Sequence, residues 1–212
     1  MLDRWGKNDS QIMDEAISAL MTESEHMKTL IDQLLFLARG EMDRHAMSMV
    51  PLDAAELMEE VYEESVMIDP DHKYSAETRS VASEHRPMII ADAAMIKQAV
   101  RILRDNAAKY TPAGGSISLR VYDKKLASSQ KDSPTYAICM EVADSGVGIS
   151  AEELPRIFDR FYRGENARTS SASGSGLGLS IAKWIVEAHG GTIEAASVIG
   201  VGTKMTIVLR RI

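Results

Sequence analysis

Apolar positions near the start of the chain recur in a 4,3 alternation. Met13, Ile17, Leu20, Ser24, Met27, Ile31, Leu34 and Ala38 step by 4, 3, 4, 3, 4, 3 and 4, one seam of a long helix with a single polar interruption. Leu30, Leu35 and Leu37 widen that stripe, so a helical bundle is expected rather than a two-stranded zipper, and Gly40 is expected to stop the helix. Met1 to Gly6 reads as the tail of a preceding helix, with Asn8, Asp9 and Ser10 as turn and cap residues. The charged, aperiodic stretch from Glu41 to Ala46 then marks a boundary between a helical segment, 1–41, and a second domain, 42–212.

Beyond that boundary the periods alternate. Met47, Met49 and Pro51 suggest a short outer strand, and Asp53-x-x-Glu56 caps a helix to about Ile68. After the turn Asp69-Pro-Asp-His72, Lys73 to Ile90 reads as a polar edge hairpin. Asp92 caps a helix with the core stripe Ile96, Val100, Leu103 and Ala107, ended by Thr111-Pro112 and Gly114-Gly115. Strands follow at Ile117 to Val121 and at Tyr136 to Val142, the second apolar on both faces and therefore central, with a polar loop between them. Ser150-x-x-Glu153 reads as a capping box for a short helix through Pro155 to Phe158. Leu177, Ile181, Trp184, Ile185 and Ala188 form a further amphipathic helix closed by His189-Gly-Gly191, where His189 reads as a partner of the helix C-terminus. Two final strands cover Thr192 to Ala195 and Thr203 to Leu209.

Composition narrows the functional classes. The 24 Lys and Arg against 31 Asp and Glu leave a net charge of −7, which disfavours non-specific binding to nucleic acid or anionic lipid. Cys139 is the single cysteine and lies in an alternating strand, so no disulfide framework is expected. No apolar run approaches the ~18 residues of a membrane span.

Candidate chemistry gathers between Asp144 and Ser180. Two glycine clusters, Asp144-Ser-Gly-Val-Gly-Ile149 and Gly174-Ser-Gly-Leu-Gly-Leu-Ser180, bracket a segment with four arginines, Arg156, Arg160, Arg163 and Arg168. The second cluster opens a helix and so offers free N–H groups to an anion, as a lid over a phosphate-bearing ligand. If the helix after Ser150 continues, Arg156, Arg160 and Arg163 share one face, either toward phosphates or as a solvated face. The solvated reading is favoured for Arg156, and Arg163 stays open. Arg168 to Gly176, small and polar, is expected to order only with ligand. Asn106 near the end of its helix is either a fraying concession or a ligand-binding group, with Lys109 on the same face.

Four ordered motifs resemble the N, G1, F and G2 boxes of sensor histidine kinases. They are Asn106-Ala-Ala-Lys-Tyr-Thr-Pro112, Asp144-Ser-Gly-Val-Gly-Ile149, Ile157-Phe-Asp-Arg-Phe-Tyr-Arg163 and Gly174-Ser-Gly-Leu-Gly-Leu179. Gly200-Val-Gly-Thr203 is similar to the family's last glycine motif, and Leu34-Leu-Phe-Leu-Ala-Arg39 to the second helix of its dimerisation domain. The resemblance implies an α/β two-layer sandwich, a mixed sheet with helices on one face, after a long helix of a truncated helical hairpin. It implies ATP and Mg2+ as ligands, Asp144 as the adenine-selecting carboxylate, Asn106 as metal ligand and Lys109 as phosphate partner. It further implies nucleotide contacts from Tyr110, Gly146, Gly148, Ile149, Arg163, Gly174, Ser175, Gly176, Leu177, Gly178 and Thr203. The implied activity is transfer of the γ-phosphoryl group to a histidine and then to a response-regulator aspartate, with homodimerisation through the helical segment of a membrane-anchored sensor.

Two positions depart from that pattern. No residue matches the family's acceptor-histidine box, since His26 in Glu25-His-Met-Lys28 has other neighbours, so the acceptor is expected upstream of Met1. Ile102 stands one helical turn before Asn106, where the kinases commonly carry asparagine and related ATPases a water-activating glutamate. An isoleucine is no base, which argues against hydrolysis and weakens the metal grip, with Asp105 turned away around the helix. A non-catalytic nucleotide-binding module and a serine kinase of the anti-sigma-factor type remain as alternatives.

Overall fold

The computed structural model describes residues 10–42, 47–78, 86–126, 136–164 and 175–212. Two compact units result, Met1–Asp43 and Arg44–Ile212. The first is helix α1 (Ser10–Met42), 33 residues long, with Ile17, Leu20, Met27, Ile31 and Leu34 of the seam exposed. Gly40 does not stop it. A lone glycine costs a helix only about 1 kcal/mol, and the turn continues through to Met42. The expected helix tail at Met1 to Gly6 lies outside the described residues.

In the second unit, strand β1 (Val50–Asp53) leads into helix α2 (Ala54–Ile68), whose N-cap Asp53 accepts from the N–H groups of Ala55 and Glu56. Strand β2 (Lys73–Glu77) follows, then β3 (Met88–Ala91) and helix α3 (Ala93–Tyr110), capped by Asp92 through the Met95 N–H. Strands β4 (Ser116–Lys125) and β5 (Tyr136–Asp144), a three-residue 3-10 turn at Leu154–Arg156, helix α4 (Gly178–Ala188), and strands β6 (Thr192–Val198) and β7 (Gly202–Arg210) complete it. The main sheet runs β2-β4-β5-β7-β6 and is mixed, β2 lying parallel to β4 and the rest antiparallel.

The register explains the core. Leu119 pairs with Val142 and Val142 with Met205, while Val121 pairs with Met140 and Met140 with Ile207, so these side chains line one face. They are buried together with Ile96, Val100 and Leu103 of α3 and Ile181 and Ile185 of α4. Asp144 shares the parity of Met140 and Val142, which places its carboxylate on that apolar face at the strand's end. The opposite face is polar: Glu141 is buried beneath Arg120, Lys204 and the Tyr122 hydroxyl, next to a small cluster of Ala137, Cys139 and Val208.

The expected hairpin from Lys73 to Ile90 is not formed. β2 joins the main sheet, whereas β3 pairs antiparallel with β1 in a separate two-stranded sheet. Ile89 and Ala91 are wholly buried there, and that burial takes the apolar arm away from its polar neighbour.

Candidate functional site

Asp144 ends β5 with its two oxygens in different states. Oδ1 accepts from the N–H of Gly146 at 2.8 Å and from the N–H of Thr203 at 3.2 Å. Among the described residues, none donates to Oδ2. Burial pushes this carboxyl above its ordinary value, and the two N–H bonds oppose that push.

Close backbone approach fixes the surroundings. A Cβ on Gly146 would run into the Tyr110 carbonyl, and one on Gly202 into the Asp144 carbonyl. Gly148 has φ of +73°, and a Cβ there would strike the Val198 carbonyl. Val147 bridges both neighbours, its N–H donating to the Tyr110 carbonyl at 3.1 Å and its carbonyl accepting from the Gly200 N–H at 2.9 Å. Ser197 organises the rest. Its Oγ accepts from the Ile149 N–H at 2.8 Å and donates to the Gly202 carbonyl at 2.8 Å. The 2.9 Å contact with Thr203 Oγ1 must then use the threonine's proton, which leaves Thr203 an acceptor. Neither Ser197 nor Ser145, which pins the Ser116 N–H at 2.9 Å, is singled out by the sequence, since both are single serines at strand ends.

The facing wall is the last turn of α3. Asn106 donates its side-chain N–H to the Ile102 carbonyl at 2.9 Å, so its Oδ1 is the group left to present. Lys109 is half-buried, and both burial and the Arg163 charge hold its ammonium below the ordinary lysine value. Its Nζ lies 5.2 Å from the Tyr110 ring centre. Burial raises the Tyr110 hydroxyl, and the Arg163 charge opposes that. The Arg163 charge thus acts on both Lys109 and Tyr110. Asp105 is exposed and paired with Arg104 at 3.2 Å.

The segment carrying Arg163 differs from expectation. Ser150 and Glu153 do form a capping pair, with 2.9 Å between Ser150 Oγ and Glu153 Oε2. Only the 3-10 turn follows, so the arginines do not share a helical face. Pro155 removes a donor, and Phe161 takes φ of +63°, reversing the chain. Arg156 is exposed and stacks on Tyr162 at 4.6 Å, in keeping with its solvated reading. Phe161 donates its N–H to the Gly176 carbonyl at 3.0 Å, and a Cβ on Gly176 would come within 2.8 Å of the Phe161 carbonyl carbon. Ser175 Oγ accepts from the Leu177 N–H at 3.1 Å, Leu177 is fully buried, and Gly178 begins α4 with no side-chain cap. A Cβ on Gly178 would lie 3.3 Å from Ile102 and 3.9 Å from the Asn106 amide nitrogen. Gly174 and Arg168 lie outside the described residues.

Two groups therefore form, Asp144 with Gly146, Ile149 and Thr203, and Asn106, Lys109, Tyr110 and Arg163 beside the first turn of α4. They suit a nucleotide: an acceptor at the end of an apolar face, glycines that let the surrounding backbone close up around it, and two cations near enough to influence one another. No cluster of three or more His, Cys, Asp or Glu stands ready for a metal among the described residues. His189 sits apart and structural, Nδ1–H donating to the Ile185 carbonyl at 2.7 Å and Nε2 accepting from the Asp92 N–H at 3.0 Å.

Residues 91–211 match the family described as histidine kinase-, DNA gyrase B- and HSP90-like ATPase. Sensor histidine kinase YkoH of Bacillus subtilis (strain 168) is 32% identical over 98% of this chain and 42% of its own length. Sensor protein KdpD of Clostridium acetobutylicum is 35% identical over 89% of this chain and 19% of its own length. The chain thus spans less than half of these curated relatives. Among solved structures, the mycobacterial sensor histidine kinase MprB matches 77% of this chain and 97% of its own, with a TM-score of 0.59 and 29% identity. The chain belongs to the histidine kinase-, gyrase B- and HSP90-like ATPase family, carries its ATP-binding domain and is homologous to sensor histidine kinases.

Proposed function

We propose that the chain is the catalytic part of a sensor histidine kinase, moving the γ-phosphoryl group of Mg-ATP to a histidine on a dimerisation domain, for relay to a response-regulator aspartate. The division of labour at Asp144 carries this reading: Oδ1 is held by Gly146 and Thr203, and Oδ2 remains an acceptor. Adenine offers an amino donor where guanine offers a carbonyl, so this acceptor favours ATP over GTP. Lys109, Arg163 and the uncapped N–H groups from Gly178 onward supply positive charge for the phosphates.

Magnesium, when bound, offsets charge on the β- and γ-phosphates, and Asn106 Oδ1 is the protein group that would hold it. The protein's own part is position and charge. In the transfer, the bond from the γ-phosphorus to the β–γ bridging oxygen breaks, a nitrogen–phosphorus bond forms on the acceptor imidazole, and ADP leaves. Ile102 offers no base for water, which suits transfer over hydrolysis. The exposed seam of α1 is read as a homodimer contact of the full-length protein. No described helix is long and apolar enough to cross a membrane, and the chain is read as the cytoplasmic portion of an anchored sensor.

Mixing the chain with a separately produced helical domain bearing the acceptor histidine, plus γ-labelled ATP, is expected to give acid-labile phosphoprotein. ATP binding without any such product overturns the kinase reading. A non-catalytic nucleotide-binding module is the second reading, favoured by the isoleucine packed at the head of α4 where a polar group is usual.

A further inference from the structure

A second polar cluster sits at the end of α3, made of residues the nucleotide pocket does not use. His72, in the turn between α2 and β2, has Nδ1 2.8 and 3.0 Å from the two Asp69 carboxylate oxygens and Nε2 2.9 Å from the Thr111 carbonyl. Both partners only accept, so both ring nitrogens must donate and the ring is an imidazolium. The side chain is only 9% exposed. Asp69 is held in turn by the Tyr74 hydroxyl at 2.8 Å and the Asp71 N–H at 3.1 Å. Two backbone bonds tie the same turn to the loop after α3, Gly114 N–H to the Asp71 carbonyl at 2.7 Å and Lys73 N–H to the Gly115 carbonyl at 2.9 Å.

Thr111 follows Tyr110 directly, and the Tyr110 carbonyl receives the Val147 N–H of the first glycine cluster. The groups facing His72 are Asp69 and Asp71 of its own turn, with Tyr74 of β2 and the buried Arg104 of α3 behind Asp69. Burial pushes the imidazolium down, but the Thr111 carbonyl and Asp69 outweigh it and hold it above the ordinary 6.5.

We infer that His72 is a positioning residue for the nucleotide site: its imidazolium tethers the Thr111 carbonyl, sets the wall of Lys109 and Tyr110, and gives ATP binding a pH dependence. The inference rests on the ATP reading above. A neutral ring turns one lone pair toward the Asp69 carboxylate or the Thr111 carbonyl, replacing a charge-assisted bond by repulsion. The sign follows from the raised value: the tether is whole below 6.5 and is lost as pH rises through the histidine's folded-state value.

The test is ATP affinity of the 212-residue chain by calorimetry across mildly acidic to alkaline pH, with His72→Gln and Asp69→Asn beside the wild type. Wild-type affinity is expected to hold steady in mild acid and then to fall about three- to tenfold as the ring titrates, the scale of one charge-assisted bond. His72→Gln should remove the fall centred on the ring's titration and keep only the later alkaline loss that Lys109 deprotonation gives both proteins, and Asp69→Asn should move the first midpoint to lower pH, a readout that serves even if His72→Gln folds poorly. A first transition of the same size in wild type and His72→Gln, or an unmoved first midpoint in Asp69→Asn, overturns the inference while leaving ATP binding standing. Absence of ATP binding at every pH overturns the ATP reading and this inference together.

Discussion

The two halves of the proposed site are built on opposite plans. At the Asp144 end, the fixed atoms are backbone N–H and carbonyl groups, joined by bonds of 2.8 to 3.2 Å through Gly146, Ile149, Ser197 and Thr203. At the Lys109 end, two cations, Lys109 and Arg163, are close enough for one to depress the other. On the proposed reading the first end, held by these bonds, would read the base, and the second, where Arg163 lowers the Lys109 ammonium, would meet the phosphates. If so, selectivity and affinity reside in different residues, and substitutions at the two ends should separate them.

The largest effect is expected at Asp144. Asparagine keeps one oxygen for the Gly146 and Thr203 N–H groups but sets an amide donor against the adenine amino group. A lost bond to a charged acceptor is worth up to about 3 kcal/mol, so ATP affinity should fall roughly a hundredfold in calorimetry. Fold stability should hold or rise. Because burial raises the Asp144 carboxyl above 3.8, its ionised form costs stability at neutral pH. The thermal advantage of Asp144→Asn should shrink as pH falls through that raised value, where the wild-type carboxyl is protonated.

Gly148→Ala tests the rigidity of the same end. With φ of +73° and the Val198 carbonyl in the way, an alanine should cost about 2 kcal/mol of stability, read as a lower melting temperature. A melting point equal to wild type would mean that the glycine cluster and the β6–β7 turn move independently.

Lys109→Ala probes the other end. ATP and GTP affinity should both fall about tenfold at low salt and less at high salt, because charge and not base identity is read. An unequal loss for the two nucleotides would contradict the division between the ends.

How far this plan is legible in sequence depends on the range of the interactions. The caps at Asp53 and Asp92 and the stripe of α3 are local, and the alternation through Ile138, Met140 and Val142 already fixes the face on which Asp144 emerges. The separation of β2 from β3 is not local, because the buried pairing of β3 with β1 crosses about 40 residues whose polarity says nothing of register. The capping pair at Ser150 and the missing donor at Pro155 are visible, but the positive φ of Phe161 and its bond to the Gly176 carbonyl are not, since that partner lies beyond the local sequence. Ser197 and His72 escape for the same reason, their partners lying 48 and 39 residues away.

The smallest effect is expected at the junction of the two ends. Ile102 packs near Gly178, and its carbonyl holds the Asn106 amide. Ile102→Asn leaves that carbonyl in place and adds a side-chain oxygen one turn before Asn106, on the same face. The gain in metal contact is offset by lost apolar packing of about 1 kcal/mol, so Mg-ATP affinity should change less than about fivefold. Affinity measured with and without magnesium separates the terms, since the added oxygen acts only with the metal and the lost packing acts in both. Phosphotransfer then discriminates between the two functional readings: a wild type already active toward the acceptor domain, changed only slightly by Ile102→Asn, retains the kinase. A silent wild type that the substitution awakens identifies Ile102 as the residue that turned a kinase pocket into a nucleotide-binding module.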